Sequence, residues 1–198
     1  MNQSLRPDPP TEDVPAPRSP LRILADAAEM LGFATALLTL VFSFLVRLTV
    51  VEGSSMHPTL EPGDRLVVCP LADIAPGDIV IVHRIDAAPY SRPIVKRVIA
   101  LPGQTVDIDF DTWTLTVDGA VIEEPYRWLD PDRETLGCDL PLPLTLGEHE
   151  IFVMGDNRNG SADSRRHELG PIDTRAVVGR AVFGMTKDGL TVFTDPFR

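Results

Sequence analysis

Residues 60–68, LEPGDRLVV, join a Pro-Gly pair to a run of strand-forming residues, and the chain repeats this pattern twice. The later copies are IAPGDIVIV at 74–82 and ALPGQTVDI at 100–108. Proline and glycine match the backbone angles at the second and third positions of a type II turn. The alternating or continuous apolar run after each turn is typical of a β-strand. The pattern therefore predicts a domain built from turn–strand units.

Three further segments extend this β pattern. Residues 113–126, WTLTVDGAVIEEPY, predict a hairpin with Asp118 and Gly119 at its turn. The segments EHEIFVMGDN at 148–157 and AVVGRAVFGM at 176–185 predict two later strands. We therefore expect a mainly β fold, in which a single N-terminal helix precedes an antiparallel sheet or barrel-like domain and no second domain follows.

The N-terminal part divides into a polar tail and an apolar segment. Residues 1–21 are rich in proline and charge, which predicts a disordered tail. Residues 22–49 predict a transmembrane anchor helix, because 30–46 are uncharged and mostly apolar and would span roughly 26 Å as a helix. A cleaved signal peptide is the alternative, but the long acidic tail differs from a short basic leader.

Charge and cysteine content limit the possible functions. The formal net charge of −11 at pH 7 disfavours nucleic-acid binding. Arginines before the apolar segment favour a cytoplasmic N-terminus, which would put residues 50–198 on the extracytoplasmic side of the cell membrane. Cys69 and Cys138 lack metal-site spacing and are most simply small core hydrophobes, with a disulfide as the alternative.

Lys96 and Lys187 are the only lysines in a chain that otherwise uses arginine. Lys96 lies within an apolar strand, where alternation puts it on the same face as Ile94 and Val98. Burial lowers the pKa of a lysine because it disfavours the charged form, and a neutral amine can act as a general base, which arginine cannot. The alternative is an edge-strand lysine whose ammonium group stays in water.

The polar segment 155–172, GDNRNGSADSRRHELGPI, predicts an ordered loop. Its acidic and basic side chains could pair with one another and so present Ser161 as a fixed hydroxyl. The four residues are Asp156, Arg158, Asp163 and Arg165. A calcium loop fits less well, because Ala162 stands where the sharp turn of such a loop needs glycine.

The segment VEGSSMHPTL, at 51–60, offers a nucleophile. Gly53 and the serine pair suit a tight backbone that exposes a hydroxyl. His57 lies only two residues after Ser55, and no motif supplies the aspartate of a Ser-His-Asp triad. If Ser55 pairs with a neutral lysine, no histidine is required, since Ser-Lys pairs are a known variant of the same chemistry.

Four segments, in this order, resemble the sequence boxes of the bacterial type I signal peptidases (leader peptidases), which are Ser/Lys-dyad serine proteases. They are GSSMHPTL at 53–60, PGDIVIV at 76–82, VKRVIALPG at 95–103 and MGDNRNGSADSR at 154–165. The resemblance implies that Ser55 is the catalytic serine and Lys96 the general base. It also implies that Ser161 hydrogen-bonds the lysine.

The resemblance assigns supporting roles as well. Asp163 and Arg165 correspond to a supporting pair, and Gly155 to a close-packing position. Gly53 stands where some family members have a serine that donates to the oxyanion hole. We therefore expect the hole to depend on backbone amides, chiefly that of Ser55.

This family membership would imply a membrane-bound serine endopeptidase that removes signal peptides from secreted preproteins and needs no metal or cofactor. Its partners would be the lipid bilayer and preproteins with small residues at the cleavage site, bound as an added β-strand. A self-processing Ser/Lys peptidase, a non-enzymatic anchored β binding module and, more remotely, a sortase-like Cys/His/Arg site are the alternatives. The apolar segment and the last two boxes argue against the self-processing enzyme.

Overall fold

The computed structural model describes residues 19–83, 92–134 and 137–193. It divides into two units, residues 1–42 and 43–198. Helix α1, Pro20–Leu45, belongs largely to the first and is long and apolar enough to cross a membrane. The predicted disordered tail, residues 1–21, lies almost wholly outside the described residues.

The helix ends earlier than the sequence predicted. Residues 47–49, which we assigned to the anchor helix, belong to strand β1, Arg47–Val50. Each residue of β1 pairs with strand β2, Arg65–Cys69. The β-branched residues Thr49 and Val50 favour a strand where such a partner is available.

The second unit is mainly β, as predicted, and every strand pair in it is antiparallel. The remaining strands are β3 (Ile79–Val82), β4 (Ile94–Ala100), β5 (Thr105–Asp109), β6 (Thr114–Val117), β7 (Ala120–Val121), β8 (Leu144–Thr145), β9 (Glu150–Met154), β10 (Ile172–Asp173), β11 (Val177–Thr186) and β12 (Gly189–Val192). One sheet has the order β1-β2-β11-β3-β4-β9-β10, with β12 also paired to β11. A smaller sheet has the order β7-β6-β5-β8.

The three Pro-Gly pairs form the type II turns that the sequence predicted. Their glycines have φ values of 96°, 90° and 80°, and a backbone hydrogen bond closes each turn. The residue after each glycine also accepts a hydrogen bond from the amide that opens the turn, at 2.8–2.9 Å. The acceptors are Asp64, Asp78 and Gln104. The hairpin at Asp118 and Gly119 has positive φ at both positions, as a type I′ turn requires.

Strand β4 lies inside the larger sheet, and its residues contribute to all three hydrophobic clusters. Val98 packs with Val80, Val95 packs with the cluster around Ile81, and Ile99 joins the core of the smaller sheet. Lys96 is the direct cross-strand partner of Val80 and therefore lies on the same face as Val80 and Val98. The predicted face of Lys96 is thus confirmed.

Candidate active site

Ser55 and Lys96 are neighbours in the folded chain. Lys96 Nζ lies 2.8 Å from Ser55 Oγ and 3.0 Å from the Val95 carbonyl oxygen. The lysine is only 3% exposed, whereas Ser55 is half-buried. The hydroxyl is therefore accessible from solvent while the amine beside it is not.

Burial is the main influence on the Lys96 amine. It lowers the pKa of Lys96 from 10.5 to about 8, because the protonated form loses its hydration. The negative charges of Asp163 and Asp156 raise the pKa of Lys96, whereas the positive charge of the Arg165 guanidinium lowers it further. A substantial neutral fraction is then present near pH 8, so Lys96 can accept a proton from Ser55.

Apolar anchors hold the segment that carries Ser55. Val51, Met56 and Leu60 are almost completely buried in one cluster, whereas residues 52–54 are exposed. The sequence places these anchors on either side of the serine pair, so the intervening backbone bulges outward. Gly53, with φ at 81°, allows that path.

The loop that follows β9 packs directly against this segment. A Cβ on Gly155 would lie 2.3 Å from Ser161 Oγ and 2.4 Å from the Ser55 carbonyl oxygen, so only glycine fits between them. The Gly155 amide donates to Asp163 at 3.0 Å. The close-packing position that the resemblance implied thus lies between Ser55 and Ser161.

Asp163 and Arg165 form a buried ion pair with an Nε–Oδ1 distance of 2.8 Å, and both side chains are at most 1% exposed. Burial alone would raise the pKa of Asp163, but the charge and hydrogen bonds of Arg165 hold that pKa below its ordinary value. Arg165 also donates to the Arg158 carbonyl. The predicted pairing of Asp163 with Arg165 is present in the structure.

Ser161 is buried beside the same pair. Its hydroxyl is near enough to the Asp163 carboxylate to favour the charged carboxylate, yet it makes no well-formed hydrogen bond with any described residue. The Ser161–Lys96 hydrogen bond that the resemblance implied is therefore not formed here. The Lys96 amine reaches Ser55 and its own strand instead.

The other two residues predicted to pair in this loop, Asp156 and Arg158, form no ion pair with each other or with Asp163 and Arg165, contrary to prediction. Asp156 binds Arg97 through both carboxylate oxygens, at 2.8 and 2.6 Å. Arg158 forms a two-pronged ion pair with Glu124. The partners come from other strands and loops because the folded chain brings those charges closer than the ones adjacent in sequence.

Arg97 is a residue that the sequence reasoning missed. It lies next to Lys96 but on the opposite face of β4, is 4% exposed, and stacks on the Tyr126 ring at 3.9 Å. The signal was an arginine inside an apolar strand, since a buried guanidinium requires an anionic partner. The sequence could not say which of many acids that partner was.

His57 has a partner of its own. Its Nδ1 lies 2.8 Å from Glu61 Oε1, and its ring packs edge-on against Trp128 with ring centroids 4.7 Å apart. Within the described residues, the hydrogen-bond partner of the Ser55 hydroxyl is Lys96 rather than His57. Glu61, a carboxylate four residues after His57, was not predicted from sequence as its partner.

A cavity of about 150 Å³ adjoins the Ser55–Lys96 pair. Half of its lining residues are apolar, and Glu52 and Arg92, 3.6 Å apart, lie among the others. A larger cleft of about 680 Å³ lies beside β6 and residues 121–127 and touches neither Ser55 nor Lys96. The two cysteines are half-buried free thiols.

Two comparisons of the sequence with known proteins identify the same family. The family model for "Signal peptidase, peptidase S26" matches residues 24–186. The chain is 41% identical over 160 residues to signal peptidase I of Bacillus licheniformis, and the aligned region covers 76% of this chain and 82% of that protein. It is 38% identical over 158 residues to signal peptidase I T of Bacillus subtilis strain 168, covering 76% and 79%. A crystal structure of a signal peptidase I from Enterococcus faecalis V583 matches with a TM-score of 0.44 and 28% identity, covering 55% of this chain and 97% of that one.

Proposed function

Because the chain belongs to the signal peptidase, peptidase S26 family and is therefore a peptidase that cleaves signal peptides, we propose that Ser55 is its nucleophile and Lys96 its general base. The observation that carries this proposal is the 2.8 Å separation of Ser55 Oγ and a lysine amine that is only 3% exposed. The lowered pKa of Lys96 supports the same role.

The reaction follows from this geometry. Ser55 Oγ attacks the carbonyl carbon of the residue before the cut, and its proton passes to Lys96 Nζ. The tetrahedral intermediate collapses as Lys96 gives that proton to the leaving amine, which leaves an acyl-enzyme on Ser55. Lys96 then removes a proton from water, which attacks the ester. As the bond to Ser55 Oγ breaks, Lys96 returns that proton to Oγ, and the signal peptide leaves with a free carboxylate.

The oxyanion of the tetrahedral intermediate needs hydrogen-bond donors. Gly53 has no side chain to offer one, whereas the Ser55 amide makes no hydrogen bond within the described ranges and is available. A single well-aimed donor of this kind is worth about 3 kcal/mol in transition-state stabilisation. We assign this donor to the Ser55 N–H group.

The cavity beside Ser55 supports a substrate with small residues before the cut. At about 150 Å³, it would hold one or two small side chains. Ile81, Ile94 and Val95 lie in its lining and would favour apolar side chains such as alanine over charged ones. Secreted preproteins with small residues at the cleavage site are therefore the proposed substrates.

Helix α1 supports membrane anchoring, and the arginines before its apolar part favour an N-terminus in the cytoplasm and a second unit outside. A face of the sheet formed by β1, β2, β11 and β12 supports contact with lipid as well. Two cross-strand rows on this face, Leu48–Val67–Phe183–Val192 and Val50–Arg65–Met185–Leu190, are apolar apart from the one arginine. Six of these side chains are at least 41% exposed although they are large and apolar.

The deciding experiment incubates detergent-solubilised enzyme with a preprotein. Ser55→Ala and Lys96→Ala should each abolish cleavage while the protein stays folded. Retained cleavage in a folded Ser55→Ala variant would reject the mechanism.

Lipid contact has its own test in reconstituted vesicles. Met185→Glu combined with Leu190→Glu should slow cleavage of a membrane-bound preprotein but not of a soluble peptide. Val121→Glu, on an equally exposed residue of the smaller sheet, is the matched control. Equal effects of the two changes would argue against lipid contact.

A further inference from the structure

Asn157 forms hydrogen bonds with the backbone of the nucleophile segment at two successive residues. Its side-chain Nδ2 donates to the Ser54 carbonyl oxygen at 3.1 Å, and its backbone N–H donates to the Ser55 carbonyl oxygen at 3.1 Å. Asn157 is 4% exposed, so water does not compete strongly for these bonds. It thus joins the loop after β9 to the segment that carries Ser55.

The direction of the Asn157 amide group is fixed by its other partner. Oδ1 accepts a hydrogen bond from the Gly160 N–H at 2.9 Å, and since a backbone N–H can only donate, the oxygen must face Gly160. The amide nitrogen is therefore the atom that faces Ser54. A Cβ on Gly160 would lie 2.7 Å from Nδ2, so this position holds the side chain in place by close contact.

The bond to the Ser54 carbonyl has a consequence for the next amide. The Ser54 C=O and the Ser55 N–H belong to one planar, trans peptide unit and point in opposite directions. Whatever holds the carbonyl end therefore sets the direction of the N–H end. The His57 N–H also donates to the Ser54 carbonyl, at 3.1 Å, so two donors define the plane.

We propose that Asn157 is a positioning residue that aims the Ser55 N–H at the oxyanion by holding the carbonyl oxygen of the same peptide unit. This proposal rests on the function proposed above, in which the Ser55 amide stabilises the tetrahedral intermediate. Among the described residues, the side chain of Asn157 bonds Ser54 and Gly160 and not the Lys96 amine, so we assign its effect to the backbone. The bond also polarises the peptide unit, which makes its N–H a better donor.

Asn159 offers a matched control in the same loop. It is also a buried asparagine, 6% exposed, and its side chain makes three hydrogen bonds. All three go to the backbone of Asp130, Arg133 and Glu134, and none goes to the nucleophile segment. Asn159→Ala therefore removes a comparable set of contacts without touching the Ser54–Ser55 peptide.

The experiment compares full-length Asn157→Ala, Asn159→Ala and the parent in detergent with a peptide substrate. It measures kcat, KM, the rate–pH profile, the urea midpoint, and affinity for a peptide aldehyde that ends in alanine. Such an aldehyde forms a tetrahedral adduct with the serine and needs the same donor as the transition state. Removal of a whole oxyanion donor costs about 10²–10³-fold in kcat, so misdirection of one should cost about 10–100-fold.

For Asn157→Ala we expect kcat and the affinity for the aldehyde to fall by the same factor, about 10–100-fold. KM should stay within about threefold of the parent value, and the acidic limb of the rate–pH profile should not move. Asn159→Ala should keep kcat within about threefold of the parent at a similar urea midpoint. If Asn157→Ala does not fold, Asn157→Asp, which keeps the shape and the bond to Gly160, should show the same losses at a pH where Lys96 is neutral. Loss of activity in both asparagine variants in proportion to their stability, or an aldehyde affinity that does not change, would overturn the proposal.

Ser55→Ala distinguishes a failure of the proposed mechanism from a failure of the proposed role of Asn157. If Ser55→Ala retains activity, the mechanism is rejected. If Ser55→Ala is inactive and Asn157→Ala is normal, only the role of Asn157 is rejected.

Discussion

Replacement of Lys96 by methionine should stabilise the enzyme at neutral pH while it abolishes catalysis. The fall in the pKa of Lys96 from 10.5 to about 8 means that folding disfavours the protonated amine by about 3 kcal/mol. Below pH 8 the lysine is protonated in both states, so this cost is present in full. Between pH 8 and 10.5 the unfolded chain binds more protons than the folded one, and the free energy of unfolding of the parent rises with pH.

Methionine fills a similar volume and has no charge, so the variant lacks this pH dependence. The stability difference between Lys96→Met and the parent should therefore shrink by about 2–3 kcal/mol between pH 7 and pH 10. Urea unfolding of the full chain in detergent, followed by tryptophan fluorescence, measures it, because Trp113 and Trp128 both lie in the β unit.

Lys187→Met is the matched control, since the side chain of the other lysine is 66% exposed. Its stability difference from the parent should stay nearly constant over the same range. A pH-independent difference for Lys96→Met would refute the reasoning, because the amine would then titrate alike in the folded and unfolded chain.

Three further predictions concern activity. Lys96→Arg should be as inactive as Lys96→Ala, because a guanidinium stays protonated, and near-normal cleavage by a folded arginine variant would exclude the general-base role. In the parent, the cleavage rate should rise with pH through about 8, as Lys96 loses its proton. His57→Ala should keep most activity, since the ring binds Glu61 and its backbone N–H to Ser54 survives the change; a thousandfold fall in kcat without unfolding would contradict this. On the role that the family resemblance gives Ser161, which is to orient the neutral amine, Ser161→Ala should reduce the cleavage rate at least tenfold and Ser161→Thr should recover part of it. Since the structure contains no Ser161–Lys96 hydrogen bond, equal rates across the pH range would leave Ser161 without a catalytic role.

The local features of the fold were predictable from sequence because local chemistry determines them. Each Pro-Gly pair specifies its own turn, and Asp118 with Gly119 specifies a hairpin, whatever the rest of the chain does. The face of Lys96 followed from strand alternation alone. The proximity of Ser55 and Lys96, 41 residues apart, followed only from the resemblance to a known family.

The long-range ion pairs could not be predicted in the same way. Arg97 pairs with Asp156, 59 residues away in the sequence, and Arg158 pairs with Glu124, 34 residues away. Nothing in the local sequence favours these acidic residues over others. The end of the helix was also predicted too late, because nothing in residues 47–49 excludes a helix and pairing with β2 makes them a strand. Tertiary contacts thus determined what the local pattern left open.

Strand β4 carries lysine and arginine side by side, and its alignment with β3 sends them to opposite faces. A slip of one residue that put Arg97 in the place of Lys96 would bring a permanently charged guanidinium to Ser55 and would move Lys96 to the other face of the strand. The slipped form would keep its net charge, yet on the proposed mechanism it would have no proton acceptor for the serine. Cleavage activity per molecule would therefore fall with the fraction of molecules in which this one strand is misaligned.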